Sequence, residues 1–453
     1  MGGGAFWCLS LLLVVAFLAG GSSRADVPAL IVLRPVAILC LGYGLSSLTA
    51  DQVRAHRVLL GLALATVILA IAHIVPLPPE LWTRLPGREI VVEIDRVAGL
   101  GAVWRPLSLS PSGSLNALFS LAVPLAVLVL GVQLTRDERW LLLPLIIIIG
   151  LASGILGVLQ LGGPADGALY PYRVTNAGSA VGLFANRNHQ AVLLAILLPM
   201  LAVWASTRLR SPTDARVRSF AVVAACTFLV PLTLVTGSRA GLFATLLGLM
   251  AAVLLYRPPL AREISPSPPR RWRMFLAAAG AVVVGVSLIT ITLGRAQAYE
   301  RLIGRLAADE PRFKIWGPVM EMAGKYIPWG SGNGSFVEVY QLDESRELLS
   351  AIYFNHAHND WLELLFTGGL PAYLLLGVAI VVMLRVAARL ARVAAYNMRD
   401  RLMAWTGITI ILLFGVASVG DYPLRVPSLA SLLAIAAIWI SSCKPVSGEQ
   451  EAL

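Results

Sequence analysis

Charged residues are scarce in this chain: they make up 13% of its 453 residues, whereas hydrophobic residues make up 57%. Soluble globular domains carry about a quarter of their residues as charged side chains. The composition therefore excludes a soluble enzyme and predicts a protein that is largely embedded in a membrane.

Cysteine and lysine are scarce as well, with four and three residues respectively. Each cysteine lies in or beside an apolar segment, so their spacing indicates neither a disulfide framework nor a metal site. Arginine is abundant by contrast and brings the net charge to +11. Arginine suits bidentate contacts with phosphate, but the meaning of this charge depends on where it lies along the chain.

Long apolar runs recur throughout the sequence. A helix needs about 17 to 25 apolar residues to cross a bilayer core, and twelve such runs predict an all-α integral membrane protein with a bundle of about 12 transmembrane helices. The first run lacks the basic residues that precede the core of a signal peptide, so we expect a retained helix. The runs lie near residues 5–20, 28–48, 58–77, 115–134, 140–160, 189–206, 219–235, 240–256, 274–293, 361–384, 402–418 and 427–442.

Alternate loops differ in their basic content, which predicts the orientation because basic loops stay in the cytoplasm. One set holds 19 basic and 8 acidic residues, and the opposite set holds 16 of each. Both termini are therefore predicted to be cytoplasmic. The excess charge sets this orientation and gives no indication of nucleic acid, which is not expected as a partner. The richer set comprises residues 49–57, 135–139, 207–218, 257–273, 385–401 and the tail from 443.

The opposite, outer face carries three long connections, at 78–114, 161–188 and 294–360, and two short turns, at 236–239 and 419–426. Polar and titratable residues gather in motifs there, so the function is to be sought on this face. Two histidines elsewhere receive ordinary interpretations: His56 as a solvated cytoplasmic residue and His73 as a polar contact within the bundle.

Two outer motifs stand where membrane helices begin. Arg187 and His189, in Gly182-Leu-Phe-Ala-Asn-Arg-Asn-His189, form either an interfacial helix cap or part of a polar site. Arg239, in Thr236-Gly-Ser-Arg-Ala-Gly241, needs an anionic partner, which is either a lipid phosphate or a substrate phosphate. The neighbouring glycines would allow close approach of a ligand, which favours the second interpretation.

The long outer loop carries Arg312 in Arg312-Phe-Lys-Ile-Trp316 and a glycine-rich stretch, Pro328-Trp-Gly-Ser-Gly-Asn-Gly-Ser-Phe336. Arg312 alone is typical of a solvated surface residue. The glycine-rich stretch has no lysine and Ser/Thr ending and follows no strand, so a flexible turn is predicted rather than a nucleotide-binding loop.

The most specific motif is Asn355-His-Ala-His-Asn-Asp-Trp-Leu-Glu363, followed by Gly368-Gly369 and Pro371. His356 and His358 are two residues apart, which does not place both on one helical face, so a zinc site is disfavoured. Asn359 and Asp360 read as a helix cap, and an imidazole at such a place can serve as a general base. A last outer turn, Asp421-Tyr-Pro-Leu-Arg425, holds Arg425 between prolines.

Together these residues resemble the O-antigen ligase and polymerase superfamily, which comprises bacterial inner-membrane glycosyltransferases that use undecaprenyl-pyrophosphate-linked glycans. The likeness spans about residues 170–430, and its most specific element is His358-Asn359 followed after nine residues by Gly369. The resemblance implies that His358 is essential and that Arg239 binds pyrophosphate, with Arg312, Arg187 and Arg425 as further candidates. Supporting or acceptor-binding roles fall to His189, His356, Asn359 and Asp360.

Residue chemistry agrees with the resemblance. A lipid pyrophosphate is already a leaving group, so we expect no cofactor and no metal, but positive charge on the departing diphosphate. His358 is the expected base, with Glu363 or Asp360 to orient it, and inversion by direct attack is the expected course. The acceptor is a glycan or the lipid A core; whether the enzyme polymerises or ligates stays open. A chain-length regulator and a flippase are expected partners, besides membrane lipids.

The predicted organisation is helices 1–5 over residues 1–160, a catalytic membrane region at 161–442 that includes a periplasmic loop of short helices at 294–360, and a cytoplasmic tail at 443–453. Two other functions remain open. Twelve helices alone suit a transporter of a small solute, although transporters place charged groups at mid-membrane rather than on one face. The same outer site also suits a glycan transferase that acts on protein hydroxyls.

Overall fold

The computed structural model describes residues 3–165, 167–206, 212–257, 311–346, 349, 353–393 and 396–445, with isolated residues between 274 and 292. The described chain is mostly helical. Its one antiparallel strand pair, β1 (Pro76–Leu77) with β2 (Arg105–Pro106), closes the first long connection.

The helices of the first half are α1 (Gly4–Ala19), α2 (Leu30–Ser47), α3 (Ala50–Ala55), α4 (Arg57–Ala72), α5 (Pro79–Trp82), α6 (Glu89–Val97), α7 (Pro111–Ser120), α8 (Ala122–Gly131) and α9 (Arg136–Gly162). Those of the second half are α10 (Arg187–Ala205), α11 (Pro212–Val235), α12 (Arg239–Leu255), α13 (Pro311–Lys314), α14 (Trp316–Tyr326), α15 (Phe336–Tyr340), α16 (Asp360–Arg392), α17 (Met398–Ala417) and α18 (Pro427–Ser441). A 3-10 turn at Pro423–Arg425 precedes α18.

Seven segments of the described chain are long and apolar enough to cross a membrane, and four shorter apolar helices accompany them. The chain is therefore a membrane protein. The span predicted at 274–293 lies outside the described residues except for isolated positions, so a total of twelve spans and the large periplasmic loop are not confirmed. The seven segments are Leu30–Ser47, Pro111–Gly131, Arg136–Gly162, Arg187–Ala205, Val217–Val235, Asp360–Arg392 and Met398–Ala417.

Helix α10 lies at the centre of the bundle. Nearly all of its side chains are buried, which explains why its sequence is apolar on every face. Helix α12 packs against it closely, and two glycines of α12 permit this approach. A Cβ added at Gly241 would lie 2.3 Å from the Cβ of Ala191, and one at Gly248 would lie 2.6 Å from the carbonyl oxygen of Ala195. The residue numbers of the two contacts rise together along both helices, so α10 and α12 run parallel and begin at the same end.

Helix α1 belongs to the same core, with Leu9, Leu12 and Leu13 fully buried. The end of α1 reaches the turn before α18, where the carbonyl of Gly20 accepts hydrogen bonds from the backbone N–H and the hydroxyl of Ser428. The predicted first helix therefore forms, and it supports the same end of the bundle at which α18 begins.

A second, smaller hydrophobic cluster stands beyond this end of the bundle. It joins α14 and α15 to the first two turns of α16, through residues such as Ile315, Tyr340 and Phe366. Because Ala357 belongs to this cluster, the segment that contains the two paired histidines is fixed by a packed core rather than left as a free loop.

Helix α16 is broken at Gly369, whose φ of 62° and ψ of −161° are not helical. The glycine-rich stretch docks on the break: Ser331 N–H donates to Phe366 O over 3.0 Å, and Gly332 N–H donates to Thr367 O over 2.9 Å. The carbonyls that the break leaves without helical partners are thus satisfied. The expectation of a flexible turn is wrong, because this stretch is pinned by backbone hydrogen bonds.

The two histidines outside the outer motifs differ in outcome. His73 is buried, and its Nδ1 accepts a hydrogen bond from Asn333 N–H over 3.0 Å, so the expected polar contact is confirmed. His56 is not solvated as expected: it is only 7% exposed, and its Nδ1 lies 2.6 Å from the hydroxyl of Ser441. The turn between α3 and α4 buries it against the end of α18.

Candidate functional site

Four helices begin at one end of the bundle: α10, α12, α16 and α18. The parallel packing of α10 and α12 brings the first two together, and Asp360 N–H at the start of α16 donates to Ser418 O, just before α18, over 2.9 Å. His189 in turn lies 3.9 Å from Asp421 in that same connection. The positive dipole ends of these helices converge here, an arrangement that favours an anionic ligand.

The paired histidines flank a peptide unit that is held on both sides. Ala357 N–H donates to Glu363 Oε2 over 2.9 Å, and Ala357 O accepts from Trp316 Nε1 over 3.2 Å. Trp316, the last residue of the motif with Arg312, therefore positions the histidine segment. His358 takes a φ of 50°, a left-handed conformation that is unusual for a residue other than glycine and that often marks a functional site.

Asn359 and Asp360 begin α16 as the cap motif predicts. The side chain of Asn359 accepts a hydrogen bond from Leu362 N–H over 3.1 Å. Asn359 is therefore a helix cap, which fixes the direction in which the histidine segment leaves the helix.

Two carboxylates contact Arg425. Its Nε lies 3.1 Å from Asp360 Oδ1, and its Nη1 lies 3.2 Å from Glu363 Oε1. Glu363 also contacts His356, whose Nδ1 lies 3.0 Å from the same oxygen. Burial by itself would lower the pKa of Arg425, but the charges of Glu363 and Asp360 raise this pKa above its ordinary value. Arg425 is thus ion-paired with two carboxylates.

Asp421 lies between two other histidines. Its Oδ1 is 3.6 Å from Nδ1 of His358, and its Oδ2 is 3.9 Å from Nε2 of His189. The carboxylate is only 1% exposed and accepts hydrogen bonds from Tyr422 N–H and from the side-chain amide of Asn186. The negative charge of a buried carboxylate at these distances favours the protonated form of a facing imidazole.

The ring of Tyr422 touches all three histidines. The centroid distances are 4.3 Å to His356, 4.9 Å to His358 and 5.3 Å to His189. Burial, and then the charge of Asp421, raise the pKa of the Tyr422 hydroxyl. The tyrosine therefore stays neutral and acts as an apolar partition that keeps the imidazoles in fixed orientations.

Arg187 and Arg239 are the first residues of α10 and α12. Asn186 caps α10 by accepting from Asn188 N–H over 2.9 Å, and Ser238 caps α12 by accepting from Gly241 N–H over 3.0 Å. Both guanidinium groups thus start at helix ends that already favour anions. Gly241, however, serves the contact with Ala191 rather than the approach of a ligand.

The structure brings together most of the residues that the motifs indicated. His356, Asp360, Glu363 and Arg425 form one ion-paired group, and His189 and His358 both lie beside Asp421. The ring of Tyr422 touches all three histidines and so joins the two groups. The side chain of Arg312 lies outside the described part of the chain.

One expected contact is different. Within the described residues, neither Glu363 nor Asp360 pairs with His358, because both are held by Arg425, and Glu363 also by His356; Asp421 lies beside His358 instead. Sequence reasoning also missed Tyr422 and Asn186. Tyr422 could have been predicted from the Asp-Tyr-Pro-Leu-Arg turn, in which an acidic and an aromatic residue stand close to Arg425.

Among the described residues, no three histidine, cysteine or carboxylate side chains are arranged to hold a metal ion. The acidic and imidazole groups of the cluster pair with one another and with Arg425 instead.

A comparison with protein families matches residues 224–377 to the family described as O-antigen ligase. No curated protein matches the chain. The matched segment holds Arg239, the histidine pair and Glu363, whereas Arg187, His189 and the turn with Asp421 lie outside it. The resemblance to the O-antigen ligase and polymerase superfamily is therefore confirmed over residues 224–377.

Proposed function

We propose that this protein is a glycosyltransferase that transfers a glycan from an undecaprenyl-pyrophosphate carrier to an acceptor hydroxyl at the outer face of the bacterial inner membrane. One observation carries the proposal: in a chain with an O-antigen ligase segment, His358 and the buried Asp421 lie 3.6 Å apart where four helices begin. The family match supports the reaction class, and the geometry supports the assignment of roles.

The leaving group is the pyrophosphate of the carrier lipid. Arg239 and Arg187 stand at helix ends that favour anions, so they are the proposed ligands of the diphosphate. Arg312 is added on its motif alone. Arg425 is better understood as a positioning residue, since Asp360 and Glu363 already neutralise it at 3.1 and 3.2 Å.

The proposed base is His358. A proton on its Nδ1, facing the carboxylate of Asp421, leaves a lone pair on Nε2 to accept the proton of the acceptor hydroxyl. The acceptor oxygen then bonds to the anomeric carbon while the bond from that carbon to the phosphate oxygen breaks. The proton goes to His358, the diphosphate leaves with its electron pair, and the anomeric centre is inverted without a metal.

His356 and Glu363 play a supporting part in this scheme. Their contact, together with the hydrogen bond from Ala357 N–H to Glu363, fixes the backbone from which His358 projects. The buried His189 lies on the far side of Asp421, where its Nε2 is 3.9 Å from the carboxylate.

The test is transfer by the purified protein in lipid nanodiscs, supplied with a lipid-pyrophosphate-linked glycan. We expect His358→Ala to lower kcat by about 10²- to 10⁴-fold, the usual contribution of a general base, while binding of the donor is retained. Leu349→Ala, at an exposed position nine residues earlier, is the control and should leave transfer unchanged. Full transfer activity in the His358→Ala protein would overturn the proposal.

The same assay distinguishes the members of the class. Elongation of the donor glycan without added acceptor indicates a polymerase, and transfer that requires lipid A core indicates a ligase. Uptake of a solute that accompanies expression and survives His358→Ala would favour a transporter instead.

A further inference from the structure

A cleft of about 500 Å³ opens at the opposite end of the bundle from the histidine cluster. Its walls come from the first residues of α9 and α17 and from the residues that follow α18. Helix α17 ends near Asp421 and has 20 residues, so the cleft lies about 30 Å from the histidine cluster.

The cleft is rich in positive charge. Its lining includes Arg136, Arg139 and Lys444 against a single carboxylate, Asp400. Arg136 pairs with Asp400 at 2.8 Å, which leaves two cations without a carboxylate partner in the described part of the chain. Arg139 uses one of its N–H groups to bond the carbonyl of Leu134 over 2.6 Å, and a guanidinium has four more to offer.

Two unpartnered polar groups line a small recess beside the cleft. This recess of about 10 Å³, just large enough for one water molecule, is lined by Arg139, Asp400, Met403, Trp439 and Ser442. The hydroxyl of Ser442 and the indole Nε1 of Trp439 are buried there without a hydrogen-bond partner in the described structure, and Trp439 as a whole is only 2% exposed. A buried donor without a partner is costly and indicates that something else satisfies it.

We infer that this cleft binds a phosphate group, supplied either by the headgroup of an anionic phospholipid or by soluble phosphate. Arg139 and Lys444 line the cleft without a carboxylate partner in the described chain, and charged donors of this kind are what a phosphate group binds. The volume suits a headgroup, and the lining residues lie in the loops that the sequence predicts to be cytoplasmic. Basic pockets between helices on that side are known to receive anionic lipid headgroups.

The test uses the purified full-length protein in a neutral detergent and measures its thermal unfolding midpoint. The probes are phosphatidylglycerol, phosphatidylcholine and inorganic phosphate. We expect phosphatidylglycerol to raise the midpoint more than phosphatidylcholine does. In the double variant Arg139→Gln with Lys444→Gln, the concentration of phosphatidylglycerol that gives half of this rise should increase at least tenfold. Arg257→Gln with Arg392→Gln removes two exposed arginines outside the cleft and should change nothing.

Lys444→Glu provides a second variant, since Lys444 is exposed and its reversal leaves the packing intact. It should also weaken the effect of phosphatidylglycerol at least tenfold. An equal response to inorganic phosphate would assign the site to soluble phosphate. The inference is overturned if neither probe shifts the midpoint, or if the cleft variants respond to phosphatidylglycerol as the control pair does.

Discussion

At the level of single residues, the candidate site concentrates buried charge. Asp360, Glu363 and Asp421 are three carboxylates in one cluster, whose fixed cation is Arg425. Removing carboxylates from water costs several kcal/mol each unless partners compensate, so such a cluster is a poor device for stability. These buried carboxylates are better explained as groups that orient imidazoles and hold protons.

Asp421 provides the sharpest test at this scale. In Asp421→Asn, the amide oxygen can still accept from Tyr422 N–H, which Asp421 now does over 3.0 Å, so the turn should fold. The charge that favours a proton on the facing nitrogen of His358 is lost, however. We expect kcat for glycan transfer to fall about 10- to 1000-fold with little change in KM for the donor.

The measurement is steady-state transfer at several donor concentrations. A merely structural role for Asp421 would lower the amount of folded protein and leave kcat per folded molecule unchanged. That result would contradict the assignment of Asp421 as the partner of His358.

At the level of elements, glycines set the distances between helices. Gly241 and Gly248 allow α12 to approach α10 until an added Cβ would overlap Ala191 or the backbone of Ala195. Small residues at helix interfaces are the usual means of close packing in membranes. This contact places Arg239 at the same end as Arg187, so the packing of these helices helps to shape the proposed diphosphate site.

Gly248→Ala tests this contact. Its Cβ would meet the carbonyl oxygen of Ala195 at 2.6 Å, and a backbone atom has little freedom to move. We expect a loss of about 1 to 3 kcal/mol in stability, as in other overpacked cores, seen as a lower thermal unfolding midpoint in detergent.

Gly61→Ala in α4 is the matched control because nothing lies within 4 Å of its added Cβ. Its midpoint should equal that of the unsubstituted protein or exceed it, since alanine is the better helix former. Equal behaviour of the two variants would show that α10 and α12 are not in the close contact described.

At the level of the whole molecule, the two ends of the bundle carry different chemistry. One end collects carboxylates and imidazoles, and the other collects arginine and lysine around a cleft. His56 belongs to the second end, where burial, and then the charges of Arg139 and Lys444, lower its pKa from 6.5 to about 4.

This shift predicts a pH dependence of folding stability. Between pH 6.5 and 4 the unfolded chain binds a proton at His56 that the folded chain does not, so stability is full above pH 6.5 and falls as the solution is acidified. The contribution of this group is on the order of 1 kcal/mol per pH unit within that window. His56→Asn should lessen the drop in unfolding midpoint between pH 7 and pH 5, and an unchanged drop would contradict the burial described.

The class of the protein and the residue types of its site follow from local patterns in the amino-acid sequence. Apolar runs fix a helical membrane protein because a bilayer requires helices whose backbone is satisfied internally. The histidine pair, the arginines at helix starts and the cap at Asn359 were readable because each depends on neighbours in the chain.

Which of these groups lie together depends on how the helices pack. Asp421 lies 63 positions beyond His358 and becomes its neighbour because α16 and α17 return the chain to the same end of the bundle. The burial of His56 against Ser441 and the docking of the glycine-rich stretch on the break at Gly369 likewise join distant segments. Local patterns contain no record of such contacts, since helix packing, rather than sequence spacing, sets them.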